Sequence, residues 1–164
     1  MELIETDRLR LRQWKDGDLT DVARFFADED SARYLGGRKD LDQAWRHIAA
    51  QIGHWALRGF GHWAVEEKGT GEFVGSVGLW QSAEWPELEL GYWLVTEHQG
   101  KGYALEAAQR CRDYAREDLK ARSLVSYIDA RNERSIRLAK RLGAKYEGTI
   151  ELASCGTQGV FRHF

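Results

Sequence analysis

The chain of 164 residues has two cysteines, one proline and one methionine, and what it lacks narrows the possibilities first. Cys111 and Cys155 are too few and too far apart for a disulfide framework, and no C-x-x-C occurs. No apolar run approaches the ~20 residues that a membrane span needs. Charges at Glu2, Glu5, Asp7 and Arg8 interrupt any resemblance to a signal peptide, so a reduced, cytoplasmic protein is expected. Net charge is only −2 and no run of like charge stands out, which argues against nucleic acid or an anionic membrane as the main partner. The five histidines are scattered, with no ligand spacing beyond a weak helical pairing of His47 and His54, so no metal centre is expected. Repeats, linkers and low-complexity stretches are absent. With 43% hydrophobic residues the chain can bury a core without staples, and residues 1–164 read as one domain.

What is present is a regular succession of elements. Leu3 to Trp14 alternates as a half-buried first strand. Asp16-Gly17-Asp18 then leads into a helix carrying Leu19, Val22, Phe25 and Phe26, and a short helical turn is expected at Ser31 to Leu35. Asp40 caps a longer helix whose apolar positions Leu41, Ala44, Trp45, Ile48, Ile52 and Trp55 follow the 3.6-residue period until Gly59. Phe60 to Glu66 and Glu72 to Trp80 form a hairpin, the second strand thinned by Gly75 and Gly78 so that another backbone or a ligand can come close. A loop from Gln81 to Pro86 precedes the fourth strand, Glu87 to Val95. A helix starting at Tyr103 buries Ala104, Ala108, Cys111 and Ala115, and Ser123 to Ile128 is the fifth strand. A crossover of that length implies a parallel pair. A helix from Asn132 to Leu142 and strands at Lys145 to Leu152 and Val160 to Phe164 complete the chain.

The segment that organises the rest is Glu87 to Glu106, a strand, a glycine-bearing turn and a helix N-terminus. Gln99-Gly100-Lys101-Gly102-Tyr103-Ala104 is built to bring backbone N–H groups against an anion where the helix dipole favours negative charge. It is neither a Walker A loop nor a G-x-G-x-x-G fingerprint. On spacing alone an ordinary strand-to-helix turn explains it equally well.

The surrounding motifs sharpen this. The turn matches the [QR]-x-x-G-x-[GA] loop of the GNAT superfamily of acyl-CoA-dependent N-acetyltransferases, which the chain resembles. Asn132-x-x-Ser135, with Leu142-Gly143-Ala144 following, resembles that family's second acetyl-CoA motif. Glu89-Leu90-Gly91-Tyr92-Trp93-Leu94 and Thr6-Asp7-Arg8-Leu9-x-Leu11-Arg12 resemble the branch of the ribosomal-protein N-terminal (alanine and serine) acetyltransferases. The resemblance implies a mixed α/β (α+β) fold with a central sheet of about seven strands, helices on both faces, and strands four and five parallel and splayed.

It also implies roles. Acetyl-CoA enters the splay, its pyrophosphate on Gln99, Gly100, Lys101, Gly102, Tyr103 and Ala104, and its pantetheine beside the main chain of Leu94 and Val95, with Asn132 contacting it too. An N–H near Trp93 or Leu94 polarises the thioester carbonyl. An alkylammonium has a pKa near ~10, so attack needs a base. Glu89 is the candidate, directly or through a water, with Glu87 and Glu84 nearby alternatives. Many family members place a leaving-group Tyr seven residues after the motif Asn. That position here is Ala139, and in the resembling branch Ser135 is the donor instead. The acceptor is an amine, either a protein N-terminus or a small molecule, and Trp45, Trp80 and Trp85 are available to shape its pocket. A non-catalytic acyl-CoA sensor is the alternative. Monomer and homodimer are both compatible with the sequence.

Overall fold

The computed structural model describes residues 3–164. Its first departure from the expected pattern lies at the N-terminal end. The alternating stretch carries two antiparallel strands rather than one, β1 (Ile4–Glu5) and β2 (Leu9–Arg12). Thr6 makes the turn between them: its N–H donates to the Leu9 carbonyl at 2.9 Å, and its hydroxyl oxygen accepts the Leu9 N–H at 2.9 Å. The sheet therefore has eight strands, in the order β1-β2-β3-β4-β5-β6-β8-β7.

The remaining strands are β3 (His62–Glu67), β4 (Phe73–Trp80), β5 (Glu89–Leu94), β6 (Val125–Ile128), β7 (Lys145–Leu152) and β8 (Gly156–Arg162). The last begins earlier than the expected Val160. All neighbours are antiparallel except β5 and β6. The helices are α1 (Leu19–Ala27), α2 (Glu29–Ala32), α3 (Leu41–Arg58), α4 (Tyr103–Glu117) and α5 (Glu133–Arg141). No described helix is long and apolar enough to cross a membrane.

Helices cover both faces of the sheet. On one, Ala107, Ala108, Cys111 and Tyr114 of α4 pack on Leu11, Val65, Val77 and Leu90. On the other, Val22, Phe25 and Phe26 of α1 and Ala44 and Ile48 of α3 pack on Ala64, Phe73 and Trp93. Phe25 stacks on Trp93 with ring centroids 4.3 Å apart. Each such side chain contributes about 1.5–3 kcal/mol by burial, so this stack fixes where β5 presents its C-terminal end.

α3 starts and stops as expected. The Asp40 carboxylate accepts the Gln43 N–H, Gln43 returns the contact, and Gly59 ends the helix at φ +76. Its buried face is rotated from the expected one. Ala44, Ile48, Gln51, His54 and Trp55 point inward, whereas Leu41, Trp45 and Ile52 are exposed. Gly75 and Gly78 admit neighbouring strands rather than a ligand. A Cβ at Gly75 would collide with the Trp93 carbonyl, and one at Gly78 with the His62 backbone.

Candidate active site

β5 and β6 make one pairing, Glu89 opposite Val125, and then separate. Side chains replace the ladder at the point of separation. The Ser126 hydroxyl donates to the Leu90 carbonyl at 2.7 Å, and the Tyr127 N–H reaches Glu89 Oε1 at 3.4 Å. On its other edge β5 is fully paired with β4, and the Val95 N–H donates to the Val74 carbonyl at 3.0 Å. The two-residue alternation of an antiparallel ladder then turns the N–H groups of Gly91 and Trp93 towards β4, and those of Tyr92 and Leu94 into the gap. Trp93 is thereby removed as an oxyanion donor. Val95 has both main-chain groups engaged, since its carbonyl accepts the His98 N–H at 3.0 Å.

The turn after β5 has the backbone its glycines promise. Gly100 (φ +77) and Gly102 (φ +83) are left-handed, a region glycine enters without strain. Gly102 is the N-cap of α4, and its carbonyl takes the first helical bond from Glu106 N–H at 3.1 Å. The N–H groups of Tyr103, Ala104 and Leu105 have no intrahelical acceptor and form the positive end of the helix. Lys101 is exposed beside them. The Tyr103 side chain turns away beneath the loop, its hydroxyl donating to Glu67 Oε1 at 2.6 Å, so only its backbone can meet a ligand.

The N-terminal turn buttresses this loop, a role the sequence motif alone did not reveal. Arg8 donates from Nη1 to the Lys101 carbonyl at 3.0 Å and from Nε to Glu106 Oε2 at 2.7 Å, and it lies over the Tyr103 ring at 4.6 Å. Thr6 Oγ1 and the Arg8 N–H both donate to Glu106 Oε1. Glu106 would otherwise leave a bare carboxylate in the first turn, where an anionic ligand belongs. These contacts neutralise it and hold its pKa below the usual carboxylate value.

Across the gap stands the N-terminus of α5. Asn132 caps it, Oδ1 accepting the Ser135 N–H at 3.2 Å, so that oxygen is committed to the helix. Ser135 sits in the first turn with its main-chain carbonyl accepting the Tyr92 hydroxyl at 3.1 Å. Burial pushes that tyrosine up to about 12, so it acts as a donor and not as an acid. A second tie crosses nearby: Gln99 donates from Nε2 to the Leu94 carbonyl at 3.0 Å, and its Oε1 accepts from Arg134 at 2.6 Å. Ala139, at the position where a tyrosine is absent, is fully buried.

Glu89 lies on the α1/α3 face of β5, at the closed end of the gap. The side chain keeps some accessible surface, but its carboxyl is crowded by neighbouring atoms, and burial raises it to about 7. The Trp85 Nε1–H donates to Oε2 at 2.7 Å. Glu87 is differently placed: both its oxygens accept from Arg162, at 2.9 and 3.0 Å, and the pair lowers its pKa. Glu84 is exposed in the loop. An extended strand rises ~3.3 Å per residue, which puts Glu89 about 10 Å from Tyr92 and about 16 Å from Leu94 along β5. Of the two N–H groups that face the gap, that of Tyr92 is the nearer to Glu89.

Trp80 is opposite Glu89 in the ladder and stacks on His54 at 4.2 Å, while Trp85 meets Tyr127 edge-on at 5.8 Å. Trp45, by contrast, is exposed on α3. The sequence also did not disclose a rim contact in which the Tyr34 hydroxyl donates to the Arg131 carbonyl at 3.1 Å. A hollow of about 490 Å³ against Ala23, Ala27 and residues 38–41 touches none of these groups. Among the described residues one cluster, Glu67, Glu72 and His98, brings ligand-type atoms within 4.8 Å of one another. Tyr103 already engages Glu67, and the Lys101 ammonium stands 3.4 Å from His98 Nδ1, so a cation there would face a cation.

Comparison with known proteins gives this geometry a family. The sequence profile of the acetyltransferase (GNAT) domain matches residues 8–145. The uncharacterised protein YkkB of Bacillus subtilis is 36% identical over 153 residues, covering 88% of this chain and 86% of its own. The uncharacterised N-acetyltransferase YoaA of the same organism is 28% identical over 151 residues, covering 90% and 85%. The crystal structure of an acetyltransferase from Agrobacterium tumefaciens superimposes with a TM-score of 0.91 at 31% identity, covering 100% of this chain and 95% of that one. The chain belongs to the GNAT acetyltransferase family.

Proposed function

We propose that the protein transfers acetyl from acetyl-CoA to a primary amine by direct attack, with Glu89 as the base. The observation that carries this reading is the placement of a buttressed anion loop and a raised carboxylate at opposite ends of one opened strand pair. The donor set suits a coenzyme A ester. The N–H groups of Gly100 to Leu105 meet the pyrophosphate, the edge of β5 at Tyr92 and Leu94 meets the pantetheine, and the gap gives its arm a path between sheet and α5. The Leu94 carbonyl exchanges the Gln99 amide for the ligand as the gap fills.

The amine nitrogen forms its bond to the thioester carbonyl carbon as the carbon–sulfur bond breaks. Glu89 takes the ammonium proton through water. An unshifted carboxyl would be too weak a base, and a value near neutrality matches it to the task. The Tyr92 N–H, the nearer to Glu89 of the two that face the gap, stabilises the negative charge that grows on the carbonyl oxygen. Ser135 donates a hydrogen bond to the departing thiolate. The acceptor approaches from the α1/α3 face past Trp80, Trp85 and the Tyr34 rim.

A thiol-release assay across small amines and peptides with free N-termini tests this reading and ranks the two acceptor classes. Turnover that is strictly acetyl-CoA-dependent and collapses in Glu89→Gln is expected. Acetyl-CoA binding by thermal shift, with no turnover on any amine, would replace the enzyme by a sensor.

A further inference from the structure

Trp85 belongs to the segment between β4 and β5, the least regular part of this face of the sheet. Its ring leans on Tyr127 of β6 with an interplanar angle of 78°, and its single polar atom is directed at Glu89 Oε2 at 2.7 Å. The other Glu89 oxygen has only the long 3.4 Å contact with the Tyr127 N–H. Among the described residues no cation pairs with Glu89. The charged or titratable groups around it are Tyr92 on β5, Tyr127 on β6, Cys155 in the turn between β7 and β8, and Glu87, which is held by Arg162 of β8. The indole N–H is therefore its one short contact from a donor. An indole can donate but never accept, and its bond to a carboxylate is stronger than to a neutral acid.

We propose that Trp85 is a positioning residue for acetyl transfer: its indole N–H fixes the Glu89 carboxylate, so the segment facing the acceptor also sets the base. This rests on Glu89 being that base. Without the N–H the carboxyl loses its one short contact and turns more freely about its last torsion, and its ionised form loses a charge-assisted bond. The ring itself matters less than the hydrogen it carries, because Tyr127 contacts the ring face or edge whatever the heteroatom.

Trp85→Phe keeps an aromatic ring and removes the N–H. Its kcat/KM is compared with wild type and Glu89→Gln from pH 5 to 9, with thermal melts to establish that each variant is folded. The acid limb that disappears in Glu89→Gln is expected to move upward by about one pH unit in Trp85→Phe. On wild-type protein, the Trp85 indole N–H resonance is expected to titrate with that same limb and to stop titrating in Glu89→Gln. A limb lost in Glu89→Gln but unmoved in Trp85→Phe overturns the positioning role and leaves the base in place. A limb that survives Glu89→Gln overturns the base assignment and this proposal with it.

Discussion

Replacing Glu89 by Gln should raise the stability of the protein while it removes activity, and the gain should depend on pH. Burial lifts the carboxyl from 4.5 to about 7, so the folded state holds this proton more tightly than the unfolded one. The stability linked to it is fully present below 4.5 and is lost as pH rises through 7. At 1.36 kcal/mol per unit that displacement sets a ceiling of about 3 kcal/mol. The surface Glu89 retains screens it, leaving about 1–2 kcal/mol. Gln has no proton to lose and escapes the loss. For a chain of this size each kcal/mol moves the melting temperature by about 2–4 °C. The Gln variant should therefore gain roughly 3–6 °C on wild type between pH 5 and pH 8, read by calorimetry in buffers of equal ionic strength. Altered hydrogen bonding to Trp85 adds an offset without pH dependence, and other titrating groups cancel in the difference. A difference that stays flat across the range would refute the idea that burial strains this carboxylate.

Arg8→Ala should raise the Kd for acetyl-CoA about tenfold with little change in kcat, measured by titration and steady-state kinetics, because Arg8 holds the Lys101 carbonyl and neutralises Glu106. Tyr92→Phe removes the bond to the Ser135 carbonyl and should cost about 1 kcal/mol in denaturant unfolding, with a lower kcat as α5 loosens against the gap. Ser135→Ala should lower kcat about tenfold on acetyl-CoA and less on an ester with a more acidic thiol, if the hydroxyl supports the leaving group. His47, His62 and His163 are held neutral by burial at about 4, 3 and 4, so their contribution is present above 6.5 and is lost as pH falls through those values. Unfolding at pH 5 should take up as many as three protons, visible in the pH dependence of the midpoint.

The parallel pair, the loop at Gln99 to Ala104 and the helix boundaries at Asp40 and Gly59 were legible because each depends on local chemistry: a cap, a left-handed glycine, a change of period. The turn at Thr6 was not. It has no glycine or proline, and its geometry is completed by Glu106 from another element. The face of α3 was misread for a different reason. Gln51 and His54 are polar and buried, while Leu41, Trp45 and Ile52 are apolar and exposed, so hydrophobicity pointed the wrong way. Within the candidate site, motifs gave the residues but not the partners. Glu87 and Glu89 are indistinguishable by spacing, and it is Arg162, 75 residues from Glu87, and the Trp85 indole at Glu89 that tell them apart.

The Thr6–Arg8–Glu106 tie joins Arg8 to a residue 98 positions away, and through the Lys101 carbonyl it braces the glycine turn that opens α4. The loop thus takes its backbone from its own glycines and its bracing from the turn between the first strands. Loss of Thr6 and Arg8 together should weaken acetyl-CoA binding at least as much as Arg8→Ala alone, read by titration.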